Sequence, residues 1–498
     1  MTQARLGLAK PGCRGHREDW TVLLHSKNAD EDQVKDRLEQ LRCHFTWKLL
    51  IEDTEITDLE NRVFDEIEFL DIKYNVGIHN LLAYIKHLKG QNKEALESLK
   101  EAETLIQQER TNQSNTKRLV TWGNYAWLYY HMGSLGEVQI YLDKVENTCK
   151  KLASPSCCRL ECPEMDCEEG WALLKCGGKN YERAKACFEK ALEADPENPE
   201  FNTGYAITMF RLDSFHKETQ FKEAFSLHPL KQAIRLNPED AYIKALLGLK
   251  LQDVGEQAEG QKYIEEALTK MSSQTYVFRY AAMFYRRKGS VDKALQLLKT
   301  ALQATPSSAF LHHQIGLCYR SQVRQIKKTA KWQPRGQDRE NVNRITRLAI
   351  FHFEFTLKQK PTFEIAYKHL ADMYIEAGNY EKAEDTYQKV LRLKKLDKEV
   401  LQEIYFYYGQ FQEFQRKSEI DAIIYYLKAI KIENQSYSRD KSISSLEKLV
   451  LRKLRRNGSD IESLSILGFI YKLKGEMNEA LEYYEQALKL AADFESFV

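Results

Sequence analysis

One pattern of small and aromatic residues returns along this chain at a fixed interval, and it constrains the fold more than any other feature. Its clearest copy is formed by Tyr285, Gly289, Ala294, Leu298 and Ala301. Further copies occur at Tyr374, Gly378, Ala383, Tyr387 and Val390, and at Tyr471, Gly475, Ala480, Tyr484 and Ala487. The small residues that close three successive copies, Ala233, Ala267 and Ala301, are 34 residues apart.

A 34-residue period with small residues at fixed places is typical of tetratricopeptide repeats, in which each repeat is a pair of helices. One pair cannot bury its apolar face alone, so successive pairs stack into a superhelix with a concave inner surface. We therefore predict an all-α fold, an α-solenoid of about ten helix pairs, some of them degenerate.

The composition favours a folded helical protein and excludes several other classes. Of the 498 residues, 43% are hydrophobic, while the formal net charge is only +2, so bulk charge predicts no partner. Ten cysteines are too sparse for a disulfide scaffold. No run approaches the roughly 18 apolar residues of a membrane span, and the first thirty or so residues lack the apolar core of a secretory signal. We expect a cytoplasmic protein without a membrane partner.

Breaks in the 34-residue spacing predict five segments. The first, 1–32, lacks periodicity and is expected to be disordered, and 33–75 is expected to form N-terminal capping helices. Regular repeats are predicted over 76–320 and 349–498. Between them, 321–348 is rich in Lys, Arg and Gln and contains a Pro-Gly break, which predicts a lengthened helix hairpin with an exposed tip.

The inner surface of the predicted superhelix is basic and aromatic. The first helix of each pair lines that surface, and helical spacing identifies its inward positions. These positions carry Glu200, Ile207, Arg211, Tyr242, Tyr276, Arg279, Arg286, Arg287, His313, Arg320 and Lys368. Arg offers a planar set of donors that matches phosphate, and aromatic rings stack on bases. The spacing therefore predicts a positively charged groove or tunnel suited to single-stranded nucleic acid.

The repeats alone leave a second function open. Most helical repeat arrays bind peptides, and a basic groove can hold a peptide's C-terminal carboxylate. On the pattern alone, a peptide-binding scaffold for protein complexes is therefore favoured over a nucleic-acid-binding protein.

Catalysis has little support in the sequence. The chain lacks a phosphate-binding P-loop, a nucleophile elbow and a zinc-protease motif. Four cysteines cluster between the second and third repeats but lack the paired C-x-x-C spacing of a zinc site, and we interpret them as free thiols: Cys157, Cys158, Cys162 and Cys167. We expect no enzyme, no catalytic residue, no metal and no cofactor.

Several long stretches closely resemble one protein family. They are LRCHFTWKLL from Leu41, DLENRVFDEIEFL from Asp58, VGIHNLLAYIKHLKGQNKEAL from Val76, CEEGWALLKCGGKNYERAKACFEKAL from Cys167, SSQTYVFRYAAMFYRRKGSVDKAL from Ser272 and FLHHQIGLCYR from Phe310. The chain resembles the interferon-induced proteins with tetratricopeptide repeats, of the subgroup that binds RNA 5′ ends. The resemblance runs from about residue 33 to the C-terminus and reverses the preference for peptide binding.

The resemblance implies a function in innate antiviral defence. Single-stranded RNA would enter a positively charged tunnel whose 5′-end pocket is formed by 76–320. A 5′-triphosphate, or a cap that lacks 2′-O-methylation, would be held there, and the non-self message would be kept from translation. Related repeat proteins of the same family and a translation initiation factor are the implied protein partners.

The resemblance also implies roles for individual residues. The cap would be bound by Arg62, Leu70, Trp171 and Ile207, with Trp171 stacked on the methylated guanine. The 5′-phosphates and first nucleotides would be contacted by Glu66, Lys175, Tyr181, Arg211, Tyr242, Arg279, Arg286, His313 and Gln314. Repeat spacing alone instead makes Trp171, beside Ala172, a packing residue between helices.

Two positions depart from the family pattern. Glu66 and Ile72 stand where the RNA-binding members carry Gln and Thr. A carboxylate beside phosphates repels them unless it is protonated or holds a cation. We expect this departure to favour capped over triphosphate ends.

Overall fold

The computed structural model describes residues 32–51, 56–69, 75–108, 114–151, 162–215, 225–269, 275–393 and 396–495. Within these ranges the chain is built of helices and turns and contains no β-strand, which confirms the predicted all-α class. The predicted disordered segment up to residue 31, and also Leu70, Ile72, Cys157 and Cys158, lie outside the described residues.

A short helical segment at 32–39 comes before the first long helix. The helices that follow are, in chain order, α1 Ile56–Phe69, α2 Val76–Leu88, α3 Asn92–Gln108, α4 Ser114–His131, α5 Leu135–Lys151, α6 Pro163–Lys175, α7 Tyr181–Ala194, α8 Pro199–Phe215, α9 Leu227–Leu236, α10 Ala241–Asp253, α11 Gln257–Thr269, α12 Thr275–Lys288, α13 Val291–Ala304, α14 Ala309–Thr329, α15 Gly336–Gln359, α16 Glu364–Glu376, α17 Tyr380–Leu391, α18 Lys398–Phe411, α19 Glu419–Lys431, α20 Tyr437–Arg456, α21 Ile461–Lys474 and α22 Met477–Glu495.

The glycine of the repeated pattern ends the first helix of a pair. Gly289, Gly378 and Gly475 have φ angles of 91°, 74° and 82°, in the left-handed region that glycine occupies without a steric penalty. The next helix begins within two residues of each of them. The tight turn thus brings the two helices of a pair together, and this explains why the pattern keeps glycine at that place.

Small residues allow neighbouring helices to approach closely. A Cβ atom on Gly204 of α8 would lie 2.2 Å from Cε1 of Phe188 in α7, and one on Gly316 of α14 would lie 2.6 Å from Cε1 of Phe353 in α15. Both phenylalanines are completely buried. Each of these two contacts therefore packs a large aromatic ring into the space that a glycine leaves on the neighbouring helix, as close-packed interiors require.

The longest pair of consecutive helices is α14 and α15, with 21 and 24 residues. They include the stretch 321–348, where the sequence predicts a lengthened hairpin. The turn between them exposes Trp332, whose relative exposure is 63%.

The chain divides into two compact units. The first comprises Met1–Leu49 and Tyr74–Leu173, and the second comprises Leu50–Lys73 and Leu174–Val498. Helix α1 therefore belongs to the second unit, although it precedes α2 in sequence. Within the described ranges, no helix combines the length and apolar character that crossing a bilayer requires.

We expect Gly204→Ala to lower the free energy of unfolding by about 1–3 kcal/mol, because the added methyl group would overlap the ring of Phe188. Gly136→Ala is the matched control: a Cβ atom there meets nothing within 4 Å, so alanine should be neutral or slightly stabilising in that helix. Urea unfolding of both variants measures the difference. Equal effects would contradict the close packing of α7 on α8.

Candidate nucleic-acid interface

Basic and aromatic side chains from several helices meet within the second unit. The participating helices are α1, α6, α7, α8, α10, α12 and α14. We call this set the Arg–Tyr cluster, and it consists of Arg62, Glu66, Lys175, Tyr181, Arg211, Tyr242, Tyr276, Arg279, Tyr280 and Phe310. Seven of the thirteen residues predicted to bind RNA belong to it.

Glu66 joins three helices at the base of the cluster. It is 4% exposed, forms an ion pair with Lys175 at the end of α6, and accepts a 2.6 Å hydrogen bond from the Tyr276 hydroxyl of α12. Burial raises the pKa of Glu66, but the charge of Lys175 and the hydrogen bonds from Lys175 and Tyr276 outweigh it, so the pKa lies below its usual value. Glu66 is therefore an ionised carboxylate at neutral pH.

Lys175 is shared between this carboxylate and neighbouring cations. Burial lowers the pKa of Lys175, Arg211 and Arg62 lower it further, and Glu66 opposes them. Arg62 is one helical turn from Asp58, with which it pairs at 3.1 Å, and its Nη1 lies 3.5 Å from the Lys175 carbonyl oxygen. Cations thus outnumber the one buried carboxylate at the base of the cluster.

Arg211 lies against tyrosines rather than carboxylates. Its Nη1 donates to the Leu174 carbonyl at 3.0 Å, and its guanidinium carbon is 5.7 Å from the centre of the Tyr181 ring. No ion pair holds it among the described residues. The Tyr242 ring lies 5.6 Å from Tyr276 and 5.7 Å from Tyr280, centre to centre. Burial raises the pKa of Tyr242, so its hydroxyl stays protonated and can donate a hydrogen bond.

Arg279 stacks on a ring that sequence analysis did not select. Its guanidinium carbon is 3.2 Å from the centre of the Phe310 ring and 5.2 Å from that of Tyr280. Its Nε is buried without a hydrogen-bond partner among the described residues. A buried guanidinium N–H without an acceptor is costly, so an acceptor from a ligand would be favoured there.

Three other predicted residues also keep a buried polar atom without a partner in the described part of the chain. These atoms are Arg286 Nε, His313 Nδ1 and Gln314 Oε1. The other ring nitrogen of His313, Nε2, lies 3.0 Å from His369 Nδ1. Burial, with help from Arg286 and Arg320, lowers the pKa of His313 to about 3. At neutral pH this ring is therefore uncharged. It can hydrogen-bond to a polar ligand group without repelling the neighbouring cations Arg286 and Arg320.

The described residues predicted for the cap are divided between the two units. Ile207 is 3% exposed in α8, and Arg62 is half-buried in α1; both belong to the second unit. Trp171 is partly buried in α6 and belongs to the first unit. Cap recognition by Arg62, Leu70, Trp171 and Ile207 remains a prediction.

Sequence reasoning missed several residues of the site. Tyr276 was placed on the inner face but not among the ligands, and Tyr280 follows it by one helical turn, a spacing that could have identified it. Phe310 and His369 come from other repeats, so no local pattern links them to Arg279 and His313.

Potential metal ligands do not cluster in the described part of the chain. No group of three or more His, Cys, Asp or Glu side chains there is placed to hold an ion. Cys162 and Cys167 form no disulfide bond with another described residue.

Comparison with known proteins places these features in a family. The tetratricopeptide repeat family matches residues 178–198, 366–401 and 461–494. The chain is 69% identical to the antiviral innate immune response effector IFIT1 of Homo sapiens, over 95% of this chain and 99% of that protein. It is 43% identical to the human interferon-induced protein with tetratricopeptide repeats 2, over 92% of this chain and 96% of that protein.

Two solved structures of similar chains contain RNA. The human IFIT1 dimer with m7Gppp-AAAA has a TM-score of 0.86 and 68% identity to this chain, and the human IFIT1 dimer with PPP-AAAA has a TM-score of 0.83 and 66% identity. Each comparison covers 92% of this chain and 100% of the other.

We expect the stability of the protein to fall as the pH drops from about 6.5 towards 3. His313 has a pKa of about 3 in the folded state and about 6.5 when unfolded. The unfolded chain therefore binds more protons in this window, so the free energy of unfolding rises with pH there. His313→Gln should reduce the change of the free energy of unfolding with pH by the contribution of one histidine, which is at most about 1.4 kcal/mol per pH unit.

Urea unfolding at pH 7.5, 6.5, 5.5 and 4.5 measures this pH dependence. His228→Gln is the matched control, because His228 is exposed in α9. Identical pH dependence for His313→Gln and the unaltered protein would contradict a buried, neutral His313.

Proposed function

The chain belongs to the family of interferon-induced proteins with tetratricopeptide repeats, and from that premise we propose that it binds single-stranded RNA by the 5′ end at the Arg–Tyr cluster. One observation carries the proposal: Lys175, Arg211 and Arg279 converge with tyrosines around a single buried carboxylate. The relatives solved with capped and triphosphate RNA support it.

A 5′-triphosphate suits the charges of this cluster. Lys175, Arg211 and Arg279 offer charged donors to phosphate oxygens, and hydrogen bonds between charged groups are about twice as strong as neutral ones. Burial strengthens these interactions because little water screens them. The unpartnered Nε of Arg279 would gain an acceptor. An RNA with a 5′-hydroxyl lacks these phosphates, so the cluster would discriminate between RNA ends.

The first nucleotides would lie along α12 and α14. Tyr242 and Arg286 would contact a base or ribose, with Tyr181, His313 and Gln314 nearby. The neutral His313 and Gln314 have buried polar atoms free to pair with a ribose hydroxyl. A 2′-O-methyl group removes that hydroxyl's donor and adds bulk at a buried position, which would exclude self caps.

Glu66 would set the preference among non-self ends. Its carboxylate neutralises Lys175 and would repel additional negative charge. A free triphosphate ends in a phosphate whose second pKa is near 6, so it carries about one more negative charge than the phosphate bridge of a cap. We propose that Glu66 therefore favours an unmethylated cap over a triphosphate, with Arg62, Leu70, Trp171 and Ile207 holding the cap.

The consequence of this binding would be antiviral. An RNA held by its 5′ end in the cytoplasm cannot present that end to the translation initiation factor that recognises caps, and its translation would be blocked. The chain would act by binding and not as an enzyme. Translation in a cell-free extract measures this: added protein should suppress a message with an unmethylated cap and spare its 2′-O-methylated form.

Self-association is a further part of the proposal. Helix α22 exposes Met477, Leu481 and Leu488, which are 53%, 56% and 69% exposed and lie on one helical face. An exposed apolar row of this kind marks an interface, and the similar human IFIT1 is solved as a dimer. The same face would accept a second copy or a related repeat protein. Sedimentation measures the state directly, and a monomer at every concentration would refute it.

The central test uses one short single-stranded RNA with a 5′-hydroxyl, a 5′-triphosphate, an unmethylated cap or a 2′-O-methylated cap, at fixed salt. We expect tight binding of the cap and triphosphate forms only. Arg279→Ala should weaken binding of both the cap and the triphosphate RNA by about tenfold or more, because a charged hydrogen bond contributes about 1.5–3 kcal/mol. It should also reduce the slope of log affinity against log salt concentration by roughly the contribution of one phosphate contact.

Arg287→Ala is the matched control for Arg279→Ala. Arg287 is exposed on the same helix and pairs with Asp253 at 2.6 Å, so its loss should leave the discrimination between RNA ends unchanged. Flat, weak binding to all four RNAs would refute the proposal and favour the peptide-binding scaffold.

Trp171→Ala separates the two roles open to that residue. If the indole stacks on the cap, the substitution should weaken capped RNA by about tenfold, since such stacking contributes about 1–3 kcal/mol per base, and should leave triphosphate RNA nearly unaffected. Equal losses on both RNAs, together with a lower melting temperature, would assign Trp171 to helix packing.

A further inference from the structure

A second basic cavity lies beside the hairpin of α14 and α15, within the second unit. It has a volume of about 310 Å³. Its walls include Arg286, Ser321, Arg324, Gln325, Lys328 and Trp332, and no carboxylate lines it. We call it the Trp332 cavity. A volume of this size is at the lower end of the range for small-molecule sites, about 300–1,000 Å³.

The cations of α14 divide into paired and unpaired sets. Arg320 forms a 2.5 Å ion pair with Asp372 of α16, and Lys327 forms a 2.8 Å ion pair with Glu376 of the same helix. These pairs use the carboxylates that α16 presents to α14, and both cations are outside the lining of the cavity.

The cations that line the cavity have no such partners. Arg324 and Lys328 lie one and two helical turns beyond Arg320, and no carboxylate lies within ion-pair distance of either in the described part of the chain. Arg286 enters the wall from α12 with its Nε buried and unpartnered. Burial and the charge of Arg320 lower the pKa values of both Arg286 and Arg324, and the more distant charge of Asp372 only partly opposes this at Arg324. The cavity thus concentrates positive charge that an anion would neutralise.

Trp332 gives the cavity a flat aromatic wall. The residue is 63% exposed and has a φ of 64°, directly after Lys331 with a φ of 47°. A bulky residue in the left-handed region is uncommon and strained, and this tryptophan gains little burial in return. Its backbone N–H donates to the Lys327 carbonyl at 2.6 Å, and Lys327 Nζ is 5.8 Å from the ring centre.

We propose that the Trp332 cavity binds a downstream nucleotide of an RNA whose 5′ end is held at the Arg–Tyr cluster. The phosphodiester would lie between Arg324 and Lys328, and the base would stack on Trp332. Unpaired cations beside an exposed aromatic ring suit a nucleotide better than a simple anion or an acidic peptide, since both the phosphate and the base find partners. Arg286 links the two places, because it lines the cavity and is also a proposed contact of the first nucleotides.

This inference rests on the proposed function, and RNA length separates the two. Two 5′-triphosphate RNAs that share their first four nucleotides, one of four and one of twelve nucleotides, are titrated at fixed salt. The unaltered protein should bind the longer RNA at least about fivefold more tightly, the lower end of what one stacked base contributes. Trp332→Ala and Lys328→Glu should remove most of that difference and leave binding of the tetranucleotide unchanged.

Lys358→Glu is the matched control for charge. It reverses the charge of another exposed lysine, on α15, that does not line the cavity. Trp332→Phe keeps an aromatic face and should retain most of the advantage of the longer RNA. Melting temperatures exclude loss of fold as the cause of any change.

The outcomes are distinguishable. If Lys328→Glu and Lys358→Glu weaken the longer RNA equally, its affinity reflects general electrostatic attraction and the cavity is not a site. If neither Trp332→Ala nor Lys328→Glu affects either RNA, the inference is overturned, and the cavity serves a protein segment or nothing. If the unaltered protein does not bind the tetranucleotide, the proposed 5′-end function fails.

Discussion

The ion pair between Glu66 and Lys175, buried among arginines and tyrosines, is the interaction on which the rest of the candidate site depends. It ties α1 to the end of α6, and the Tyr276 hydroxyl ties the same carboxylate to α12. Four cations meet here, and without a carboxylate their repulsion would destabilise the free protein. Removing one partner of a buried pair typically costs about 3–5 kcal/mol. The carboxylate charge that stabilises the site therefore also weakens its attraction for phosphate.

The repeat architecture supplies the positions from which such a site can be built. Glycines at the turns and at helix contacts bring neighbouring helices close together, so that α8, α10, α12 and α14 can present side chains to a common space. Rigid helices hold Arg279 against Phe310 and Tyr280 rather than against a carboxylate. A guanidinium that stacks on aromatic rings keeps its N–H donors available for a ligand. The side chains of Arg320 and Lys327, in contrast, form ion pairs with Asp372 and Glu376.

Part of this could be predicted from the sequence, because the relevant signals are periodic. The 34-residue interval predicted the α-solenoid, and Ala294 and Ala301 are indeed almost completely buried. Helical spacing selected Arg211, Tyr242 and Arg279 without knowledge of any structure, and they lie together in the cluster. The contact between Glu66 and Tyr276 joins residues 210 positions apart, and α1 lies outside the regular repeats, so no period encodes it. Nor can spacing tell that Arg324 and Lys328 lack the partners that Arg320 and Lys327 have.

The most direct test of the central claim is an experimental structure of this protein with a short 5′-triphosphate RNA. The account predicts phosphate oxygens within hydrogen-bonding distance, about 3 Å, of Lys175, Arg211 and Arg279, with the first nucleotides beside Tyr242 and Arg286. The account would be contradicted if the phosphates lay along the exposed basic residues of α20 and no RNA contacted the Arg–Tyr cluster.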